Sequence, residues 1–181
     1  QRDGVVNALL GALHRHEHLP AVVAGVCAHA AATLGDSSLA LEALQEVSRT
    51  PHADFVRDAA AAKHVGLFLT ELAETMPKLV GTNLSLLLPH FACEAYALRS
   101  GLVQMVGQLV INIKVIFGEG ATVKQEEVRV KSKQALLDLL CDRARDSNAF
   151  ARAQCLRTWA ALCEAEALPL GHWQAVTDLA V

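Results

Sequence analysis

Three arginines, each set just ahead of a long aliphatic stretch, constrain this chain more than any other feature. Val56-Arg57, Leu98-Arg99 and Ala151-Arg152 are each followed by small residues and then by an apolar run. Arg57 and Arg99 are 42 residues apart, and Arg99 and Arg152 are 53 apart. Around the first two, the stretch from Asp54 to Ile113 reads as helix, short Pro-containing turn, helix, short turn, helix. One such unit cannot bury its apolar face alone, but stacked neighbours can.

The first offset lies in the range of about 40–47 residues that HEAT and armadillo units occupy. The second fits the same unit with an inserted loop, whose seat is Gly118 to Glu127, GEGATVKQEE, where no apolar period exists. The sequence therefore predicts an all-α, HEAT/armadillo-type α-solenoid of antiparallel helix pairs. Residues 1–181 form a single fragment of it, with the loop at about 118–127. Alternation at period two is nowhere long enough for a strand; LVINIKVIF is the nearest, and it reads as helix continuation.

In chain order, Val5 to about His14 predicts a short helix. Ala21 to Leu34 predicts a second, ended by Gly35. Asp36 or Ser37 caps a third, buried through Leu39, Leu41, Leu44 and Val47. A helix over about 53–76 starts at the Asp54 cap and stops before Pro77, with Val56, Ala60, Lys63, Val65, Leu67 and Leu69 on its largely apolar face. Helices over about 79–90 and 93–117 follow. After the loop come Val128 to Arg145, with Leu136, Leu137, Leu140 and Cys141 as its stripe, then Ala149 to Glu166, and a further helix from His172. The expected core includes Leu67, Leu69, Leu86, Leu102, Val106, Leu137 and Leu156.

Composition fits this picture. The chain is 52% hydrophobic but 4% aromatic, which favours packed helices over a sandwich or barrel. Its net charge of −3 excludes polyanion binding by bulk charge. The five cysteines form no C-x-x-C and lie on apolar faces, as reduced thiols of a cytosolic or nuclear protein do. Neither a signal peptide nor a membrane-length apolar run is present. The last residues still follow a helical pattern, so the chain reads as a piece of a longer solenoid.

The chemistry-bearing motifs are few. His14 and His18 in HRHEH stand four apart, as zinc ligands on a helix do, but the H-E-x-x-H order is missing and Pro20 frays the helix; a solvated loop is the simpler reading. Neither G-x-S-x-G nor a glycine loop with G-K-[ST] occurs, and Glu126-Glu127 read as solvated carboxylates. Nothing here supports catalysis, a cofactor, a metal or a small-molecule substrate. Arg57, Arg99 and Arg152 read as braces between repeats, made through an Asp or through backbone carbonyls. The candidate contacts to DNA phosphates are Lys124, Arg129, Lys131 and Lys133, with Lys114 as a further member. Without interleaved aromatics, such contact would be to phosphates and independent of base sequence. A solvated helix face is the competing reading of the same cations.

Several ordered phrases carry a more specific signal: FLTELAETMPKLV, LLLPHF, EAYALR and EALPLGHWQAV. With these, the chain from Lys63 to about Val110, and again from Asn148, resembles a HEAT-repeat segment of condensin complex subunit 1, the family of larger non-SMC HEAT subunits of condensin. Before about Asp54 the resemblance is poor. It implies a non-catalytic subunit that docks on the kleisin, meets the SMC ATPase heads and helps hold duplex DNA during mitotic chromosome condensation. ATP hydrolysis would belong to the SMC chains. The implied setting is the nucleus and mitotic chromosomes, and also the cytoplasm. The alternative is another HEAT or armadillo scaffold, for transport or phosphatase assembly.

Overall fold

A computed structural model of the chain describes residues 2–118 and 122–169. Every regular element among them is helical, and the helices stack as an α-solenoid. In order they are α1 (Arg2–Arg15), α2 (Leu19–Leu34), α3 (Ser38–Arg49), α4 (His52–Arg57), α5 (Ala59–Thr75) and α6 (Pro77–Thr82). Two 3-10 turns follow, Leu84–Leu86 and Leu88–Ala92. Then come α7 (Tyr96–Ile111), α8 (Ile113–Phe117), α9 (Val123–Arg143) and α10 (Ala149–Glu164). In one layer α5 lies between α2 and α7, and α7 lies between α5 and α10. In the other, α6 packs on α8 and α8 on α9. None of these helices is long and apolar enough to cross a membrane.

The largest interface, α5 on α7, rests on two glycines that leave no room for a side chain. A Cβ on Gly101 would lie 2.2 Å from the Gly66 Cα, and one on Gly66 would lie 3.0 Å from the Gly101 Cα. Thr70 spans the crossing, its hydroxyl lying 3.0 Å from the Gly66 carbonyl and 3.2 Å from that of Gly101. Around this contact Val65, Phe68, Leu69, Leu72, Leu98, Leu102, Met105, Val106 and Leu109 are fully buried.

Several details differ from the pattern in the sequence. The helix expected over about 53–76 breaks at Asp58, whose carboxylate accepts from the Ala61 amide at 2.9 Å and caps α5, the role expected of Asp54. This break shifts the helical phase. Ala61, Ala62, Val65, Phe68, Leu69 and Leu72 therefore form the buried face, while Val56, Ala60 and Lys63 are exposed and Leu67 is half-buried. The helix expected over about 79–90 shortens to α6 and the two 3-10 turns, because Asn83 ends α6 and Pro89 starts a new turn. This moves the buried position from Leu86 to Leu87. The helix expected over about 93–117 breaks at Asn112, whose amide side chain donates to the Gln108 carbonyl at 3.0 Å. On α3, Leu44 and Val47 are buried, but Ala40 and Ala43 take the places expected of Leu39 and Leu41. Leu156 is exposed. The expected helix from His172 lies outside the described residues.

Of the expected loop 118–127, the second half is helical, since α9 already begins at Val123. Thr122 caps it: its hydroxyl oxygen accepts from the Gln125 amide at 3.3 Å. Glu126 follows in the first turn, where a carboxylate favours the positive helix end.

Buried histidines tie successive repeats. The His64 Nδ1–H faces the Leu13 and His14 carbonyls, each at 3.1 Å. The His90 Nε2–H donates to the Val47 carbonyl at 2.9 Å. Burial is the main cause that holds His90 below its ordinary 6.5; the Val47 carbonyl opposes it and His52 adds to it.

Three outcomes follow from this packing. Gly101→Ala should destabilise by at least about 2 kcal/mol in urea unfolding, because only backbone can yield. Gly25→Ala, facing open space in α2, should instead stabilise by about 0.5–1 kcal/mol. The unfolded chain protonates His90 at a pH where the folded chain keeps it neutral, so stability should fall as pH drops below 6.5 toward the folded value. His90→Gln should flatten that part of a stability–pH curve; an unchanged slope would remove His90 as its cause.

Candidate functional site

At 100° per residue, the four cations expected to meet phosphate fall on two opposite faces of α9. Lys124 and Lys131, seven apart, point to solvent and are exposed. Arg129 and Lys133, four apart, lie on the side that also buries Leu136, Leu137 and Leu140, and both are half-buried. Lys114 of α8 approaches this second pair. Burial first, then the charges of Arg129 and Lys114, holds the Lys133 ammonium below its ordinary pKa. The fold thus gathers Lys114, Arg129 and Lys133 and leaves Lys124 and Lys131 apart.

Arg129 is partly committed within this cluster. It pairs with Glu126 and donates to the Gly118 carbonyl at 3.3 Å. Three cations against one carboxylate leave the corner two charges positive, and an incoming anion would offset the repulsion that adds to burial in depressing Lys133. The excess positive charge is the property that bears on an anion, and Phe117 packs against the same helix beside Ser132 and Leu136.

The three repeat arginines have separate fates. Arg99, in the first turn of α7, is 7% exposed and forks onto Asp146, with Nε donating to Oδ2 and Nη2 to Oδ1, each at 2.7 Å. Its Nη1 donates to the Cys93 carbonyl at 2.5 Å. Asp146 sits in the turn between α9 and α10, where its Oδ1 also accepts from the Asn148 amide at 2.9 Å. The Arg99 hydrogen bonds hold this carboxyl below its ordinary pKa, and the same bonds raise that of Arg99. Arg152 donates to the Asp146 and Ser147 carbonyls at 2.8 and 3.1 Å. Arg57 braces nothing across repeats; exposed, it pairs with Asp54 on its own helix. Arg99 is therefore spent inside the fold and unavailable to phosphate.

The histidine segment lies where α1 ends, with the His16 and His18 rings 5.7 Å apart. Among the described residues no three His, Cys, Asp or Glu side chains gather as a metal would require. Burial raises the Cys27 and Cys155 thiols to about 11, which keeps them protonated and unreactive.

The structure also pairs two residues that the linear pattern leaves separate. Tyr96 and Phe150, at the starts of α7 and α10, stack with ring centroids 5.7 Å apart. The sequence does carry a signal for them: an aromatic stands two or three residues ahead of each repeat arginine, at Phe55, Tyr96 and Phe150. Phe55 is buried, whereas the other two are exposed.

No family model matches the sequence. Among curated proteins, it is 34% identical over 172 residues to Condensin-1 complex subunit CAP-D2 of Arabidopsis thaliana. It is 32% identical over 169 residues to Condensin complex subunit 1 of Mus musculus, and 29% over 169 residues to that of Homo sapiens. These alignments cover 95%, 93% and 93% of this chain, but 12% of each relative's length.

The buried pair makes a stability prediction. Asp146→Ala should cost about 3–5 kcal/mol, because it strands a buried guanidinium. Arg99→Leu with Asp146→Leu should cost clearly less than the two single changes added together. Additive losses in urea unfolding would show that the two side chains do not act as a unit.

Proposed function

The chain belongs to the condensin complex subunit 1 family, and on that premise we propose that it is a non-catalytic scaffold segment of a condensin complex. In this reading it helps seat the kleisin and SMC partners and touches duplex DNA on chromosomes in the nucleus. The observation that carries the reading is the similarity over nearly the whole chain to subunits named for condensin in a plant and in mammals. The chain spans 12% of those relatives, so the part it plays is that of one stretch of a long solenoid.

The helical stack supports a scaffold role, because it fixes surface groups from different repeats relative to one another. For DNA, the reading rests on Lys114, Arg129 and Lys133 at the α8–α9 corner. A duplex approaches α9 from one side only, so it meets either this cluster or Lys124 and Lys131. The clustered cations have the stronger claim, since their mutual repulsion falls when a phosphate enters. Binding would be to phosphates and indifferent to base sequence.

The test is charge reversal in the full-length protein within the assembled complex. Lys124→Glu, Arg129→Glu, Lys131→Glu and Lys133→Glu together should weaken duplex binding and flatten its salt dependence, with a slope change of roughly 0.9 for each phosphate that is no longer neutralised. Lys114→Glu with Lys133→Glu should produce most of that change, and Lys124→Glu with Lys131→Glu little of it. Co-purification of the kleisin should persist throughout. If all these variants keep the wild-type affinity and salt slope, the cations are a solvated face and the segment serves protein partners alone.

A further inference from the structure

We propose that the exposed Tyr96–Phe150 pair and the polar cleft beside it form a docking site for an extended protein segment that carries an apolar side chain next to an acidic one. The site is separate from the phosphate cluster, since none of Lys114, Arg129 or Lys133 lines it.

The two rings lie 54 residues apart in sequence, yet they stack at 28° with centroids 5.7 Å apart. They remain 42% and 67% exposed. Single exposed apolar residues are ordinary, but a preassembled aromatic pair from two repeats has the makings of an interface hot spot. The rings are also held in place: Asn148 accepts from the Phe150 amide at 2.9 Å, and the Arg99–Asp146 pair ties the start of α7 to the turn that begins α10. A partner would therefore lose little entropy by ordering them.

Beside the pair runs a cleft of about 590 Å³, between the Phe91–Glu94 segment and the Arg143–Asn148 turn. Its functional groups point to peptide rather than nucleic acid. Arg143 donates to the Phe91 carbonyl at 3.2 Å and stands 3.9 Å from Asp146, while its Nε is buried without a hydrogen-bond partner. Arg145 is an exposed donor and Glu94 an exposed acceptor. A peptide backbone supplies both acceptors and donors, whereas a phosphodiester backbone supplies only acceptors and would meet Glu94 charge against charge. Arg99 and Asp146 neutralise each other. Arg143 and Arg145 against Glu94 then leave one positive charge, which selects an acidic neighbour to the apolar residue that covers the rings.

The experiment uses the full-length protein and a phage library of random peptides of about 12 residues, panned against wild type and against Tyr96→Ala/Phe150→Ala. Expected are peptides held by wild type and lost by the double variant, rich in an apolar residue beside Asp or Glu. The most enriched one, made synthetically, should bind about tenfold or more weakly to Arg145→Glu. The melting temperature of the double variant should fall by no more than a few degrees, through loss of the contact between the two rings. Absence of differential capture, or enrichment of Lys and Arg, would overturn the proposal. A melting temperature lower by about 10 °C or more would do so by showing that the rings are packed into the fold. Loss of affinity for an oligothymidylate single strand in the double variant, with peptide capture unaltered, would reassign the pair to nucleic-acid stacking.

Discussion

The contact of Gly66 with Gly101 sets the spacing on which the rest of the stack depends. Two α-helices with ordinary side chains between them pack at about 8–10 Å. Here a Cβ on Gly101 would lie 2.2 Å from the Gly66 Cα, so the backbones themselves touch. Any side chain at this point would lever α7 away from α5. Arg99 stands two residues before Gly101 on the same helix, so the crossing also fixes where the guanidinium emerges. From that position it reaches Asp146 in the next repeat. Gly107 repeats the device further along α7: a Cβ there would lie 2.5 Å from Thr158 Cγ2 of α10.

Between repeats, polar side chains satisfy backbone carbonyls that helix ends leave open. His64 meets carbonyls in the last turn of α1, and His90 meets one in the last turn of α3. Arg99 and Arg143 meet carbonyls at and just after the second 3-10 turn. The last four carbonyls of a helix have no partner within it, and burying them bare costs about 1–3 kcal/mol each. A donor from the neighbouring repeat removes that cost, and at Val47 it adds a second bond to the one from the Thr50 amide. His64 lies 50 and 51 residues from its acceptors, His90 lies 43 from its own, and Arg143 lies 52 from its own, each close to one repeat. This is why buried histidines and arginines in this chain need no catalytic explanation.

The solenoid class is legible in the sequence because the arginine register and the helical period repeat. Its detailed phase is not. Asp54 and Asp58 are both acceptable caps, and only the turn through Asp58 decides that α5 starts there. Val65 and Leu69 follow the apolar pattern, because they lie on the buried face of α5 itself; Val56 departs from it because it belongs to the preceding helix. At the other end, the capping signal Thr122-x-x-Gln125 stands in plain view, but the glycines before it and the pair Glu126-Glu127 after it give the stretch the look of a loop. The cation site is legible only as a set of residues. That Arg129 and Lys133 turn inward toward Lys114, while Lys124 and Lys131 turn out, depends on where α9 begins and which side Leu136 and Leu140 bury.

The length of α9 makes the two candidate surfaces compatible. At about 1.5 Å per residue, Arg129 and Arg143 lie roughly 21 Å apart along its axis. The cation corner sits near the first turns of α9 and the aromatic pair beyond its last, so their ligands do not compete for the same residues. The charges also separate, since a cluster two charges positive lies more than a Debye length, about 8 Å at physiological salt, from Arg145. A phosphate backbone at one end would therefore change the affinity of an acidic peptide at the other only slightly through direct electrostatics. Coupling between them would have to pass mechanically, by way of the turn at Asp146, where α9 ends and the buried arginine holds two repeats together.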